Sequence, residues 1–427
     1  MTDYTSGPTR GLVLQPFRAL RPSVDGPALA RQLCPPYDVI DAARRAALIE
    51  AEPDNAVAVI LPDEAAGGDR YTDAAQRLDG WVRDGRYAVD HEPALYVYEM
   101  RDGVSATRGL VGALELRDPA DGVILPHENT MAGPVADRLA LMSATRANVE
   151  AIYLVYDGGG PASEAVASVD DVEPLVSATT DDGIAHRLWA ITDPAVHRTV
   201  GDDLATRRAL IADGHHRYAT YRELQQNLRG AQGAGPWDFG LTLLVDSSSY
   251  GPQVHAIHRV VRLPLDRALA GLAAWGVDMT DVSSPEQALA DIDGRPGFVA
   301  VLSDGTRTVV IADAAGRVRE ASTHEGETAT LTDLDVTVLH RGLVERVWEQ
   351  PDTVEAVGYA HSIDEALAAA RAQQGTAVLL RPTPVPAVAA VAAAGARMPR
   401  KSTLFTPKPA SGLVMRRFAD AGPAAPN

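Results

Sequence analysis

Cysteine is nearly absent from this 427-residue chain, which contains Cys34 and no other. A single thiol excludes a disulfide framework within the chain, and it excludes zinc or iron–sulfur sites built from several cysteines. Chains that do without disulfides are typical of reducing compartments. We therefore expect a cytoplasmic protein.

Long apolar runs are absent as well. No stretch of 18 apolar residues occurs, and the richest candidate, residues 376–395, is interrupted by Arg381 and by prolines. The N-terminal residues 1–17 lack the basic flank and apolar run of a secretory signal. These absences predict a soluble protein with no membrane partner.

The chain has fewer basic than acidic residues. It contains 39 Lys and Arg residues and 57 Asp and Glu residues, which gives a net charge of −18. Broad nucleic-acid binding requires clustered cations to neutralise phosphates, so the acidic balance argues against it. Residues 397–417 reverse this balance locally, since they contain no acidic residue. We expect an arm that closes over phosphates, with Lys401 or Lys408 reaching a nucleotide; a modest nucleic-acid patch and a solvated strand pair are the alternatives. The basic residues of this segment are Arg397, Arg400, Lys401, Lys408, Arg416 and Arg417.

The remaining composition is that of a globular protein, with 46% hydrophobic and 22% charged residues. The length predicts two or three domains. Short β-rich runs that alternate with helical patterns favour an α+β fold, with mixed sheets and flanking helices. We divide the chain near residues 105 and 260, into an N-terminal α/β region 1–105, a core 106–260, a C-terminal α/β region 261–419 and a disordered tail 420–427.

Apolar periodicity predicts the individual elements. Strands are expected at 56–61, 95–100, 110–116, 151–156, 188–191, 209–212, 241–245 and 298–302. Helices are expected at 71–83, 135–149, 216–228, 334–348 and 363–372, the last with a capping box from Ser362 and Glu365. The three glycines 158–160 lack the lysine of a phosphate-binding loop and predict a plain turn.

The most informative segment is Leu-Ile-Ala-Asp-Gly-His-His-Arg-Tyr at residues 210–218. An apolar strand ends at Asp213, Gly214 permits a sharp turn, and a helix follows. A helix N-terminus favours anions, and Arg217 adds a planar fork suited to phosphate. His215 and His216 are able to donate hydrogen bonds to the same anion, or to act as acid or base.

Two other interpretations of this segment stay open at the sequence level. An Asp-Gly pair before a helix is commonly a turn with a cap and nothing more. Asp213, His215 and His216 also form a candidate set of metal ligands, although adjacent histidines chelate one ion less naturally than a pair spaced by four residues.

A second polar cluster follows a short strand at residues 123–125. It consists of His127, Glu128, Asn129 and Thr130. A glutamate near a bound nucleotide can accept the proton of a substrate hydroxyl or help to hold magnesium. A solvated loop that caps the next helix is the structural alternative.

Two further groups are candidates for ligand binding. Arg138 is expected to pair with a phosphate, with Asp137 or with Glu150. In the rigid segment that begins with Pro35 and Pro36, Tyr37 could stack on a base and Asp38 could bind a ribose or a metal ion, or the segment could be a domain-entry turn.

These segments carry a resemblance to known proteins. The strand–Asp-Gly-His-His-Arg-Tyr–helix unit resembles the phosphate-binding box of the ParB/sulfiredoxin superfamily. Nearly the whole chain is similar to the family known as domain of unknown function 1015. The matching features are Cys-Pro-Pro-Tyr-Asp-Val-Ile at 34–40, His-Glu-Asn-Thr at 127–130 with Asp-Arg at 137–138, residues 212–218, and Lys-Ser-Thr-Leu-Phe-Thr-Pro-Lys-Pro at 401–409 with Gly-Leu-Val at 412–414.

The resemblance implies a ParB/sulfiredoxin-like core with N- and C-terminal elaborations, and a nucleotide phosphate held at residues 214–217. Superfamily members include free-serine kinases, sulfiredoxins and chromosome-partitioning proteins. The box lacks the cysteine of sulfiredoxins, and no helix-turn-helix follows it, so small-molecule phosphorylation fits best.

We therefore expect a phosphotransferase that uses ATP or ADP with Mg²⁺ on a small hydroxylated metabolite. Glu128 would be the general base, with His127 or His216 orienting groups. The alternatives are a nucleotide-responsive, DNA-binding regulator of the partitioning type and a metal-dependent hydrolase.

Overall fold

Buried runs rich in β-branched and aromatic residues form the central strands, as in Ile152–Tyr156, where all five side chains are buried. The computed structural model describes residues 11–63, 68–103 and 105–421. The strands are β1 Leu14–Gln15, β2 Leu20–Pro22, β3 Tyr87–Val89, β4 Leu95–Arg101, β5 Ala106–Glu115, β6 Ile124–Leu125, β7 Ala147–Asn148, β8 Ile152–Tyr156, β9 Val176–Thr179, β10 Ala185–Ile191, β11 Ala209–Asp213, β12 Phe239–Asp246, β13 Gln253–His255, β14 His258–Val261, β15 Asp278–Val282, β16 Val299–Ser303, β17 Thr308–Ala312, β18 Val357–Ala360, β19 Thr376–Leu379, β20 Leu404–Thr406 and β21 Arg416–Arg417.

Helices alternate with these strands, and several begin at side-chain caps, such as the Ser362 hydroxyl that accepts a hydrogen bond from the Glu365 N–H. They are α1 Gly26–Gln32, α2 Ala42–Ala51, α3 Val57–Ile60, α4 Arg70–Arg83, α5 Ala132–Thr145, α6 Gly160–Ala167, α7 Pro194–Leu204, α8 His215–Gln232, α9 Leu265–Ala274, α10 Pro285–Asp291, α11 Arg317–Ala321, α12 Ala329–Thr332, α13 Asp335–Thr337, α14 Ile363–Gln373 and α15 Val385–Ala393. Short 3₁₀ turns include Tyr37–Val39 and Phe418–Asp420, and a π-helix covers Val338–Val347.

The chain forms two units. The first contains the residues up to Pro126, Thr130–Pro252 and the residues from Pro407 onward. Its nine-stranded sheet has the order β6-β11-β8-β12-β5-β4-β10-β9, with β1 pairing with β5. The β6–β11 and β8–β12 pairs are parallel and the other pairs are antiparallel. The strands β4 and β5, on either side of residue 105, are neighbours in this sheet.

The second unit contains His127–Asn129 and Gln253–Thr406. Its antiparallel sheet has six strands in the order β15-β17-β16-β19-β14-β18. Side chains of α10 and α14 join a core cluster with this sheet, through Ala288, Ala366 and Ala370 among others. Both units thus place helices against sheets that have a buried face, which is the mixed α+β class that the sequence predicts.

Most of the predicted elements are confirmed, with ends that move by a few residues. The helix expected at 135–149 runs instead from Ala132 to Thr145, so Arg138 lies in its second turn. The helix expected at 334–348 is present as α13 followed by the π-helix. Asp420 ends the last 3₁₀ turn, and residues 422–427 of the predicted tail lie outside the described residues.

Two of the predictions are wrong. The run 56–61 is not a strand, because Val57–Ile60 form the one-turn helix α3, whose four side chains are all buried. The Asn55 side chain accepts a hydrogen bond from the Val57 N–H and starts this turn. The glycines 158–160 are more than a turn, because Gly160 begins α6, with a proline in the first helical turn.

Within the described residues, no helix combines the length and the apolar character that crossing a bilayer requires.

Candidate functional site

The candidate site is built around the turn between β11 and α8 in the first unit. β11 ends at Asp213, and Gly214 follows with φ of +92°, in the left-handed region that favours glycine. The 18-residue helix α8 begins at the next residue, and no side chain caps its first turn. The positive end of this helix dipole therefore lies directly beside the carboxylate of Asp213.

Arg217 lies beneath this turn and is 2% exposed. Its guanidinium donates hydrogen bonds to the Asp213 carboxylate and to the Ala151 carbonyl. It packs so closely on the turn that a Cβ at Gly214 would lie 3.0 Å from Nε. Burial opposes the charge of Arg217, but the carboxylates of Asp213 and Glu150 outweigh burial and raise its pKa. Arg217 therefore holds Asp213 in place from below.

Lys408 reaches the same turn from the C-terminal part of the chain. Its ammonium lies 2.7 Å from Oδ1 of Asp213 and 3.1 Å from Oδ2 of Asp38. Burial works against the charge of Lys408, yet the two carboxylates prevail and raise its pKa. We call Asp38, Asp213 and Lys408 the Asp–Lys cluster. It combines a fixed cation with two carboxylates at a helix N-terminus.

Tyr37 and Arg138 support the Asp38 side of this cluster. The Arg138 guanidinium lies 4.4 Å from the centroid of the Tyr37 ring, and it pairs with Asp137 at 2.6 Å and with Glu150 at 3.7 Å. The Glu150 carboxylate also accepts a hydrogen bond from the Tyr37 backbone N–H at 3.1 Å. Burial raises the pKa of Tyr37 to about 12. Of the partners considered for Arg138, the structure shows both Asp137 and Glu150, and the arginine is buried. Its pairing with a phosphate stays a prediction.

The two histidines of α8 differ in their surroundings. Nε2 of His216 accepts a hydrogen bond from the Met131 N–H at 3.0 Å, so the neutral ring carries its proton on Nδ1. His215 is 8% exposed. Within the described ranges, no three His, Cys, Asp or Glu side chains are grouped to hold a metal ion. The candidate ligand set of Asp213, His215 and His216 is therefore not assembled here.

His127, Glu128 and Lys401 belong to the second unit. His127 is fully buried and its Nε2 lies 2.9 Å from the Thr403 hydroxyl. The Glu128 carboxylate accepts a hydrogen bond from the Ser402 N–H at 3.3 Å. Lys401 is exposed and has φ of +52°. These contacts fix the segment around Ser402, and the catalytic role predicted for Glu128 stays a prediction.

The basic segment 397–417 is divided between the two units. Three of its side chains are used internally in the first unit. Lys408 joins the Asp–Lys cluster, Arg416 is 3% exposed and donates to the Asn148 side chain, and Arg417 pairs with Asp420 at 2.9 Å. The predicted nucleic-acid patch is thus reduced by internal pairing of its cations.

A cavity of about 310 Å³ opens beside Lys408 in the first unit. Apolar side chains line most of it. The polar part of the lining consists of Arg31, Arg44, Thr180, Asp181, Asp182, His186 and Lys408. His186 is 3% exposed, and burial lowers its pKa to about 4. Sequence analysis missed this histidine, because a single histidine in the alternating pattern of β10 carries no signal of its own.

The fold and the site define an α+β protein with a mixed-sheet unit that carries a polar cluster at a strand–helix turn. The sequence model of the family described as "Protein of unknown function (DUF1015)" matches residues 14–337. The chain belongs to this family, as its sequence features predicted. No curated protein matches the chain. The likeness of the β11–α8 turn to a ParB/sulfiredoxin box is not tested by these comparisons and stays a prediction.

Solved structures show only distant similarity. A conserved hypothetical protein from Pyrococcus furiosus is 15% identical, with a TM-score of 0.35, over 70% of this chain and 94% of that one. A free serine kinase variant in complex with AMP is 14% identical, with a TM-score of 0.36, over 73% and 88% of the two chains. SbnI with a C-terminal truncation, from Staphylococcus aureus, is 12% identical, with a TM-score of 0.36, over 72% and 87%. Similarity at this level does not determine the activity or the ligand of this chain.

Proposed function

We propose that the protein binds the phosphates of ATP or ADP, with Mg²⁺, at the β11–α8 turn and transfers a phosphoryl group to a small hydroxylated metabolite. One observation carries the proposal: the Lys408 ammonium is held 2.7 Å from Asp213, the residue before Gly214 and the start of α8. A fixed cation beside an uncapped helix N-terminus is an arrangement that binds phosphate.

The two carboxylates of the cluster fit a magnesium ion. Mg²⁺ is commonly bound in nucleotide sites by one or two carboxylates, with phosphates and waters completing its shell. Asp38 and Asp213 both present oxygens to the same ammonium, at 3.1 and 2.7 Å, so they already share one cation. Magnesium supplies charge neutralisation of the transferring phosphoryl group.

Individual residues of the chain have different roles in the proposed phosphoryl transfer. Lys408 neutralises phosphate charge, and Arg217 holds the Asp213 carboxylate through a direct pair. Phosphoryl transfer requires little covalent chemistry from the protein, because positioning and charge stabilisation supply most of the catalysis. The acceptor oxygen forms a bond to phosphorus as the nucleotide leaves, and its proton goes to a general base, the role predicted for Glu128.

Thermal-shift measurements with ATP, ADP, CTP and GTP in the presence of Mg²⁺ test the proposal. At a nucleotide concentration 100-fold above its Kd, binding adds about 2.7 kcal/mol to the free energy of unfolding. Lys408→Met removes the ammonium and keeps the length of the side chain, so it should abolish most of this stabilisation. We choose it over an Arg217 variant, because Arg217 is buried beneath the turn and its loss would disturb folding.

The matched control is Arg198→Met, which removes an exposed cation on α7 in the same unit. It should leave the nucleotide-induced shift unchanged. No shift with any of the four nucleotides would contradict the proposal, and so would an equal shift in Lys408→Met and wild type.

A further inference from the structure

The lining of the cavity beside Lys408 is partly apolar and partly charged. Pro35, Pro36, Val39 and Leu48 line it with apolar surface. Asp181 and Asp182 add carboxylates from the turn after β9, and Arg31 and Arg44 add guanidinium groups. Its volume of about 310 Å³ is at the lower end of the range of ligand pockets, about 300–1,000 Å³. The occupant is therefore a compact group with an apolar face and polar edges.

A chain of hydrogen bonds fixes Asp182 at this cavity. The Ala410 N–H donates to the Tyr98 hydroxyl at 3.1 Å, and that hydroxyl lies 2.8 Å from Nδ1 of His186. Nε2 of His186 lies 3.1 Å from the Thr180 hydroxyl, which donates to the Asp182 carboxylate at 2.6 Å.

The short hydrogen bond from Thr180 to Asp182 sets the proton arrangement of this chain. The Thr180 hydroxyl has a single hydrogen, which Asp182 accepts, so Nε2 of His186 donates to Thr180 and Nδ1 accepts from Tyr98. The imidazole is thus held neutral and in one tautomer. The cavity presents a neutral ring on its wall and a carboxylate with a fixed orientation at its edge.

Lys408 connects the cavity to the phosphate site. It lines the cavity and also binds Asp213 at the start of the β11–α8 turn. A ligand with phosphates at Lys408 would therefore extend its remaining part into the cavity. That part has to be compact and mostly apolar, with hydroxyl groups for Asp182 to accept from.

We propose that this cavity binds the nucleoside moiety of the nucleotide, with the base against the apolar wall and a ribose hydroxyl donating to Asp182. The inference rests on the proposed function, because the phosphates of the same nucleotide lie at Lys408. A flat aromatic base joined to a ribose with a vicinal diol matches a lining that is part apolar and part charged, whereas a small hydroxylated metabolite has no such flat face to bury.

Isothermal titration of the full chain with two ligands separates the nucleoside from the phosphates. Mg-ADP carries both parts, and Mg-tripolyphosphate carries phosphates alone. Asp182→Asn removes the charge but keeps an acceptor for Thr180, and Ala51→Trp fills the cavity from an exposed residue at the end of α2. Both variants should weaken ADP binding about tenfold or more, because a hydrogen bond to a charged group is lost or the base is excluded.

The same two variants should leave the Kd of tripolyphosphate within about twofold, because its phosphates lie at Lys408. Asp202→Asn, at an exposed acid on α7 outside the cavity lining, is the matched control and should change neither ligand. Equal affinity of wild type for both ligands, or equal weakening of both by the cavity variants, would overturn the nucleoside assignment and leave the phosphate site standing. If neither ligand binds wild type, the proposed function and this inference are both wrong.

Discussion

His186 provides a test of the buried hydrogen-bond chain at the cavity. It is 3% exposed, and burial lowers its pKa from 6.5 to about 4. In the unfolded chain the ring is solvated and titrates near 6.5. Between about pH 4 and 6.5 the unfolded state therefore binds a proton that the folded state does not bind. The free energy of unfolding must then fall as the pH is lowered through this window.

The magnitude follows from the two pKa values. Each unit of difference corresponds to 1.36 kcal/mol, so lowering the pKa of His186 from 6.5 to about 4 contributes about 3 kcal/mol. This contribution is fully present above pH 6.5 and is lost at about pH 4. Burial also lowers the pKa of two histidines in the second unit, to about 4 for His258 and in the same direction for His340, so His186 is one of three buried histidines that contribute in this way.

Comparison of wild type with His186→Gln isolates the contribution of His186 to the pH dependence of the unfolding free energy. Glutamine does not titrate and offers both a donor and an acceptor to Tyr98 and Thr180. Urea unfolding of both proteins at pH 7.5, 6.5, 5.5 and 4.5 should show a steeper loss of stability in wild type, and the difference between the two curves should change by about 2.5 kcal/mol over this range. Parallel curves would show that His186 titrates in the folded state as it does in the unfolded chain, which would contradict the buried, neutral ring of this hydrogen-bond chain.

Two further predictions concern a glycine and a glutamate. Gly158→Ala should destabilise the first unit by about 1 to 3 kcal/mol more than Gly159→Ala in urea unfolding, because only at Gly158 would a Cβ overlap the buried Asp246 carboxylate. Both glycines have positive φ, so the backbone strain is matched, and equal losses would contradict the steric explanation. Glu128→Gln should lower turnover of the nucleotide in phosphoryl transfer by about 10²- to 10⁴-fold, with nucleotide-induced thermal stabilisation retained. Unchanged turnover in this variant would remove Glu128 from the mechanism.

The strand–turn–helix unit at the centre of the candidate site could be predicted from local sequence signals. The apolar run before Asp213, the glycine after it and the helical spacing that follows are contained in about 20 residues. At these positions the structure has the strand β11, Gly214 in the left-handed region and the helix α8. Backbone preferences of this kind act over a few residues, so the strand–turn–helix unit could be predicted without knowledge of the rest of the chain.

A segment that is buried on all sides lacks the periodicity from which its secondary structure could be predicted. Val57–Ile60 is a single helical turn whose side chains are all buried, so its sequence shows neither the period of a surface helix nor that of a half-exposed strand. The preference of valine and isoleucine for strands then favoured the wrong element. The Asn55 side chain decides the outcome, because it donates to the Leu33 carbonyl and accepts from the Val57 N–H. The contact with Leu33 spans 22 residues, and no local pattern reveals it.

Contacts between distant segments also determine the candidate site, as the Asp–Lys cluster shows. Asp38, Asp213 and Lys408 come from three segments that the sequence marks as polar, but their pairing arises only in the folded chain. From the sequence, Arg217 is expected to bind phosphate, because it follows the glycine turn at the start of a helix. Its guanidinium is instead committed to Asp213 and the Ala151 carbonyl, and it is 2% exposed. Lys408 lines the cavity together with Arg31 and Arg44 and pairs with Asp213, so the proposed phosphate binding depends on the C-terminal segment being docked on the first unit. Removal of that segment should therefore abolish nucleotide binding even where β11 and α8 stay folded.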